Sequence, residues 1–202
     1  MMLTNTYQMS SAYKPAAAET DPENVLLWRM PRRRLEVEAI RDAIVATSGE
    51  LDLKMGGTIL DYKDRQYVSN TEKRGGVNYE LPRRAVYIPI VRSSMYELFQ
   101  AFDLPDSSMP SGDRNASVVA PQALFMMNGA IMLTHSRKLA ERLLAEPGKD
   151  DSARVRAAYE RALSRPPAPA ELDRALSFIA EMQAANDGRA KTGDERRVLA
   201  WQ

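Results

Sequence analysis

The most apolar stretch of this 202-residue chain, Val118 to Thr134, sets the first limit on its fold. A membrane-spanning helix needs about 20 mostly apolar residues. This stretch is shorter, and Pro121, Gln122, Asn128 and Gly129 interrupt it. It therefore reads as a buried helix that starts at Pro121 and continues through Leu139, Leu143 and Leu144 until Pro147-Gly148 ends it. No membrane span is expected. The opening Met1-Met2-Leu3-Thr4-Asn5-Thr6-Tyr7 has neither the basic region nor the apolar core of a signal peptide.

Helical periodicity dominates the rest of the chain. Asp21-Pro22 is a helix-start signal, since Asp caps free amides and Pro is preorganised for the first turn; a short helix through Leu26, Leu27 and Trp28 is expected. A longer helix over Arg32 to Ser48 follows, stopped by Gly49, with Leu35, Ala39, Ile40, Ala43, Ile44 and Thr47 forming its buried stripe. Between Gly56-Gly57 and Gly75-Gly76 the period fails, which indicates a long loop with room for a short strand. Arg84 to Arg92 reads as a β-strand, confined to an edge by Pro89. Met95 to Phe102 reads as a short helix. Val155, Ala158, Tyr159, Ala162 and Leu163 mark one further helix, and Leu172, Ala175, Leu176, Ile179 and Met182 another; the stiff Arg165-Pro166-Pro167-Ala168-Pro169 turn joins them as a hairpin. The expected fold is mainly α: an irregular helical domain with a short β-strand or hairpin in a central loop region and a C-terminal helical hairpin. The expected divisions are a main domain over residues 1–148 with an insertion at about 50–94, a hairpin over 149–185, and a polar tail with the start of a helix over 186–202.

Composition removes several chemistries. The chain has no Cys and one His, which excludes a disulfide framework, a thiol nucleophile, a thiolate zinc site and a multi-histidine metal cluster. Its 28 Lys+Arg against 27 Asp+Glu argue against general nucleic-acid binding, which depends on neutralising several phosphates. Binding through Arg29, Arg32, Arg33, Arg34, Arg83 and Arg84 would require those residues to form one continuous patch. His135 stands alone on the long helix and, with no second His or Cys and no Gly-x-Ser-x-Gly elbow in the chain, reads as an ordinary surface or core residue. Asp103, Asp106 and Asp113 share a turn-rich loop, but their spacing is not that of an EF-hand. No metal site is expected.

Two polar groups remain as candidate sites. Arg32-Arg33-Arg34 opens a helix at the end where cations oppose the macrodipole, and Glu36, Glu38, Arg41 and Asp42 follow at helical spacing. The group reads either as a solvated, salt-bridged face or as an anion site built from Arg forks. Gln122 and Asn128 interrupt the apolar helix and need hydrogen-bond partners, from the backbone, from water or from a ligand; Arg114-Asn115, just before this helix, could brace the turn or reach the same pocket. The candidate ligand-binding set is thus Arg34, Glu38, Arg41, Asp42, Arg114, Gln122 and Asn128.

Several segments in order carry a resemblance: Asp21-Pro22-Glu23-Asn24-Val25-Leu26-Leu27-Trp28-Arg29-Met30, Arg32-Arg33-Arg34-Leu35-Glu36, Ala39-Ile40-Arg41-Asp42-Ala43, Arg84-Ala85-Val86-Tyr87-Ile88-Pro89, Phe102-Asp103-Leu104-Pro105-Asp106 and Ala120-Pro121-Gln122-Ala123-Leu124 with Asn128. Together they resemble the C-terminal domain of unknown function of planctomycete cytochrome-c-containing proteins. The resemblance implies a fragment of a larger exported protein, located in the periplasm or at the cell surface. The signal peptide, a haem-bearing segment and a preceding domain would lie upstream, and Arg197 to Gln202 would be the start of a closing helix. It implies no catalytic residue and no cofactor in this chain, with haem possible only in the upstream segment. The partners it implies are the upstream domains of the same protein and a protein or polysaccharide. Two functional expectations follow. One is a non-catalytic scaffold or interaction module. The other is an anion- or carbohydrate-binding or hydrolytic domain using the Arg/Glu/Asp cluster. Enzyme activity stays open, with the residues leaning against it.

Overall fold

The computed structural model describes residues 3–57, 59, 79–90, 95–106, 108–110, 112, 114, 117–185 and 192–202. These form two compact units, Met1–Leu35 and Glu36–Gln202. The fold is mainly helical, as the apolar periodicity indicates. Among the described residues there are eight α-helices and one 3-10 turn, with pairing of the β kind limited to a single Asp52–Arg83 bridge.

In the N-terminal unit the helix lies before Asp21, not after it: α1 is Pro15–Thr20, with Pro15 in its first turn. Asp21 does accept from the backbone amides of Val25 and Leu26, at 2.9 and 2.7 Å. The segment beyond it turns instead of winding, because Asn24 and Leu27 take left-handed backbone angles (φ 59° and 54°). The Asn24 side chain holds the turn by donating to the Arg29 carbonyl and accepting from the Arg29 amide. The Trp28 indole donates to the Asp21 carbonyl at 2.8 Å, and the Arg29 guanidinium lies over the rings of both Trp28 and Tyr13.

In the larger unit, α2 is Val37–Ser48. It starts five residues later than the sequence pattern suggests, after the three arginines. With Glu36 as extended N-cap and Glu38 in the first turn, the positive end of the macrodipole meets carboxylates and not guanidiniums. The buried stripe is also rotated from the expected one. Val37, Arg41, Val45 and Ser48 are the buried positions, Ile40 and Ile44 flank them, and Ala39 and Ala43 are exposed. Gly49 closes the helix in the left-handed region (φ 84°), donating to the carbonyls of Ala46 and Val45.

Where a strand was expected over Arg84 to Arg92, the described part is a 3-10 turn, Ala85–Tyr87; residues 91 and 92 lie outside the described residues, as does most of the expected loop between Gly57 and Gly75. Pro82 and Pro89 bracket this turn, and Pro cannot donate to a ladder. The short helix α3 is Glu97–Ala101. The long apolar helix proves to be two, α4 (Ala120–Asn128) and α5 (Ala130–Leu144). They break at Gly129, whose backbone is extended (ψ 138°). A Cβ there would stand 2.7 Å from the Phe125 carbonyl oxygen, so this close turn needs glycine. α4 is also not buried: only Gln122 is fully enclosed, while Leu124 is 59% and Met127 71% exposed.

Helices α6 (Asp151–Leu163) and α7 (Pro169–Ala185) pair as the expected hairpin. The expected polar tail is in part a helix: α8 (Gly193–Trp201), capped by the Thr192 hydroxyl, packs on α7 and α5. Two apolar clusters hold the larger unit. Val37, Val45, Ile88, Leu98, Phe99, Phe102 and Ile131 form the first, and Val155, Ile179 and Ala200 centre the second. Arg154 links α5 to α6, donating from Nε to the Leu143 carbonyl at 3.1 Å and from a terminal nitrogen to Asp151 at 2.9 Å.

Candidate functional site

Arg41, Asp42 and Glu38 project from neighbouring turns of α2, but they face different tasks. Arg41 is 1% exposed. Its guanidinium donates to the backbone carbonyls of Arg83 (2.7 Å), Tyr79 (3.1 Å) and Leu81. Asp42 completes the clamp. Its Oδ1 accepts from the Ala85 amide at 2.7 Å and lies 3.4 Å from the Arg41 guanidinium. An always-charged, planar five-donor group suits several carbonyls arriving from one loop. Burial lowers the Arg41 pKa, and the nearby Tyr96, Asp42 and Glu80 oppose that effect.

Arg83 extends the clamp outward. It donates to the carbonyls of Lys54 (3.1 Å) and Gly56 (2.8 Å), and its guanidinium lies 4.4 Å from the centre of the Tyr87 ring. The Tyr87 hydroxyl in turn accepts from the Gly56 amide. Two arginines therefore fasten two loop segments to α2. The sequence offered Arg83 only as part of a basic patch, and nothing local in the chain marks it as a backbone clamp.

Glu38 meets Arg114 across 76 residues of chain. The Arg114 guanidinium donates to both carboxylate oxygens, at 3.0 and 2.7 Å, and lies 3.3 Å from Glu36. Burial pushes Glu38 up, but Arg114 and the residue's own backbone amide outweigh it and hold the carboxyl below its usual range. The hydrogen bond to Glu38 raises Arg114 correspondingly.

Gln122 closes the start of α4. Its amide oxygen accepts from the Val119 amide at 3.2 Å, and its nitrogen donates to the Ser117 hydroxyl at 3.3 Å. Asp103 anchors that same Ser117, accepting from its amide at 2.8 Å and from its hydroxyl at 2.9 Å. Asp106 accepts from the amide and hydroxyl of Ser108; Asp113 lies outside the described residues. Asn128 donates to the Leu124 carbonyl at 3.1 Å, and of the seven candidates it is the one that lines the open groove of about 600 Å³ between α3 and α4. Arg34 belongs to the N-terminal unit and is exposed there.

The six candidates of the larger unit thus divide among four local networks: the Arg41–Asp42 clamp, the Glu38–Arg114 pair, the Gln122–Ser117 cap and the Asn128 edge. The structure also brings together a polar pair that sequence reasoning left apart. Ser48 Oγ and His135 Nδ1 are 2.8 Å apart and both side chains are buried. Among the described residues no group of three or more His, Asp or Glu is placed to hold a metal ion, and no helix is long and apolar enough to cross a membrane.

This arrangement defines a mainly helical domain whose polar residues brace loops against helices. The chain belongs to the PSD1 family, described as protein of unknown function (DUF1553), whose family model matches residues 1–179. No curated protein and no solved structure matches it.

Proposed function

We propose that this chain is a non-catalytic scaffold or interaction module of a larger protein. The supporting observation is the engagement of Arg41: a buried cation aimed at three backbone carbonyls of its own chain, where a ligand site would aim it at a cavity. The Arg114 fork is likewise closed on Glu38, and the Gln122 amide on Val119 and Ser117. An exported setting beside a cytochrome c segment belongs to the same proposal, and rests on the resemblance of the segments over residues 21–43, 84–89 and 102–128.

The test is calorimetric titration of the chain with sulfate, glucuronate and cellotetraose, alongside Arg114→Ala and Glu38→Gln. The scaffold reading expects no saturable binding to the parent chain. It expects each variant to lose no more than about 1 kcal/mol of stability, the scale of an exposed ion pair. Saturable binding that either variant abolishes would replace this reading with that of an anion- or carbohydrate-binding domain.

A further inference from the structure

The groove of about 600 Å³ between α3 and α4 is bounded by one stripe of each helix. On α3, Gln100 and Ala101 follow Glu97 by three and four residues. On α4, Leu124 and Phe125 precede Asn128 by four and three. Each set therefore shares a helix face. The volume lies within the range of clefts that enclose a small ligand.

The polar groups of this groove are of one kind. Among the described residues Glu97 is the one charged residue that lines it, and the Glu97 carboxylate forms no hydrogen bond or ion pair among them. Gln100 donates from Nε2 to the Met95 carbonyl at 2.8 Å, and Asn128 from Nδ2 to the Leu124 carbonyl at 3.1 Å. A carbonyl only accepts, so both amides turn their nitrogens to the backbone. Gln100 Oε1 and Asn128 Oδ1 are left to accept from elsewhere. The groove thus offers three side-chain acceptors, one of them a full negative charge, beside the apolar side chains of Ala101, Leu124 and Phe125. No Lys, Arg or His lines it.

That combination selects a cation on an apolar stem. An anion would meet Glu97 with like charge. A neutral apolar segment would cover the carboxylate and supply nothing in return, which costs its desolvation. An arginine side chain satisfies both parts of the groove. Its methylenes lie along apolar walls while its charged end stays at the polar edge. Its planar fork has five donors for separate acceptors, and it is less strongly hydrated than the ammonium of lysine.

We propose that the α3–α4 groove receives an arginine side chain of a protein partner, with the guanidinium on Glu97, Gln100 and Asn128 and the stem on Leu124 and Phe125. This deepens the interaction-module reading, on which it rests, by naming the chemistry that the partner presents.

The test is an amide NMR titration of the full chain with the end-capped peptide Gly-Leu-Arg-Leu-Gly. Its lysine and citrulline counterparts and butylguanidine are titrated alongside. The arginine peptide should give saturable shifts centred on residues 97–101 and 124–129. Lysine and butylguanidine should bind about threefold more weakly or worse, and citrulline, which keeps the shape without the charge, should not saturate. Glu97→Gln should weaken the arginine peptide about threefold or more. Leu124→Lys, which puts a cation into the wall, should abolish its binding. Both side chains are exposed, so the unfolding midpoints of these variants should match the parent's. The peptide series on the parent chain decides the matter even without them. Absence of saturable shifts, shifts centred elsewhere, equal binding of any control, or indifference to Glu97→Gln overturns the proposal. The scaffold reading is tested by anions and sugars at Arg114 and Glu38, so its failure and this one are read from separate titrations.

Discussion

Ser48 Oγ and His135 Nδ1, 87 residues apart in the chain, meet at 2.8 Å in the buried contact between α2 and α5. The Ser48 hydroxyl also lies 2.7 Å from the Val45 carbonyl. A hydroxyl has one proton, so the ring donates from Nδ1 when that proton is on Val45 and accepts at Nδ1 when it is turned to the ring. The contact ties the last turn of α2 to the middle of α5. Near it, Lys138 pairs with Glu50, just past the end of α2.

This pairing makes stability depend on pH. Burial, together with the charges of Lys138 and Arg41, holds the His135 pKa below its ordinary 6.5, against the opposing pull of Glu50. Between the depressed folded value and 6.5 the unfolded chain binds the extra proton and the folded chain does not, so stability rises with pH across that window. The contribution is complete above about 6.5 and is lost as pH falls through the folded value. Denaturant titrations at pH 7.5, 6.0 and 5.0 should show this decline, and His135→Gln should flatten it. An unchanged slope in the variant would remove His135 as the cause. Glu38 and Glu50, both held below 4.5, add a further loss in the same direction at more acidic pH.

Replacing Arg41 should be among the most damaging single changes in the larger unit. Arg41→Met would remove the one donor group that the carbonyls of Tyr79, Leu81 and Arg83 share, and the cation beside a partly buried Asp42. Breaking one side of a buried charge network costs about 3–5 kcal/mol. Arg41→Lys keeps the charge but cannot span three acceptors, and should lose about 1–3 kcal/mol. Urea unfolding measures both, and midpoints matching the parent would refute the clamp.

Gly49→Ala should destabilise by about 1–2 kcal/mol, the cost of a left-handed angle in a residue with a Cβ. Space is short there as well. The new Cβ would fall 1.9 Å from a terminal nitrogen of Arg142, so that guanidinium would have to leave the C-terminus of α2. Thermal unfolding of the variant, compared with Ala46→Gly within the same helix, separates the left-handed requirement from ordinary helix propensity.

Helical content and much of the element order were legible in the sequence because they are local. Repeats of three and four residues mark α2, α6 and α7, Gly49 is a stop signal through its own backbone freedom, and the proline-rich turn at Arg165–Pro169 separates two helices. The misreadings were also local in origin. Asp21-Pro22 carries a start signal, yet the turn held by Asn24 prevails over it. Residues 84–92 carry apolar residues at strand-like density, yet Pro82 and Pro89 leave a 3-10 turn in the described part.

The candidate site was legible only as a list of residue types. That Arg41, Asp42 and Gln122 need partners follows from the cost of enclosing polar groups. Which partners they take depends on segments brought together from 38 to 43 positions away for the α2 clamp, and on Ser117 and Asp103 for Gln122. The burial of His135 and the exposure of α4 were equally invisible. Residue type gives the energy of leaving water, and only the packing of α2, α3 and α5 decides which face leaves it. The sequence by itself determined a mainly helical chain without thiol chemistry or a histidine metal cluster. Tertiary structure decided that its arginines brace loops, and that its most apolar helix faces outward.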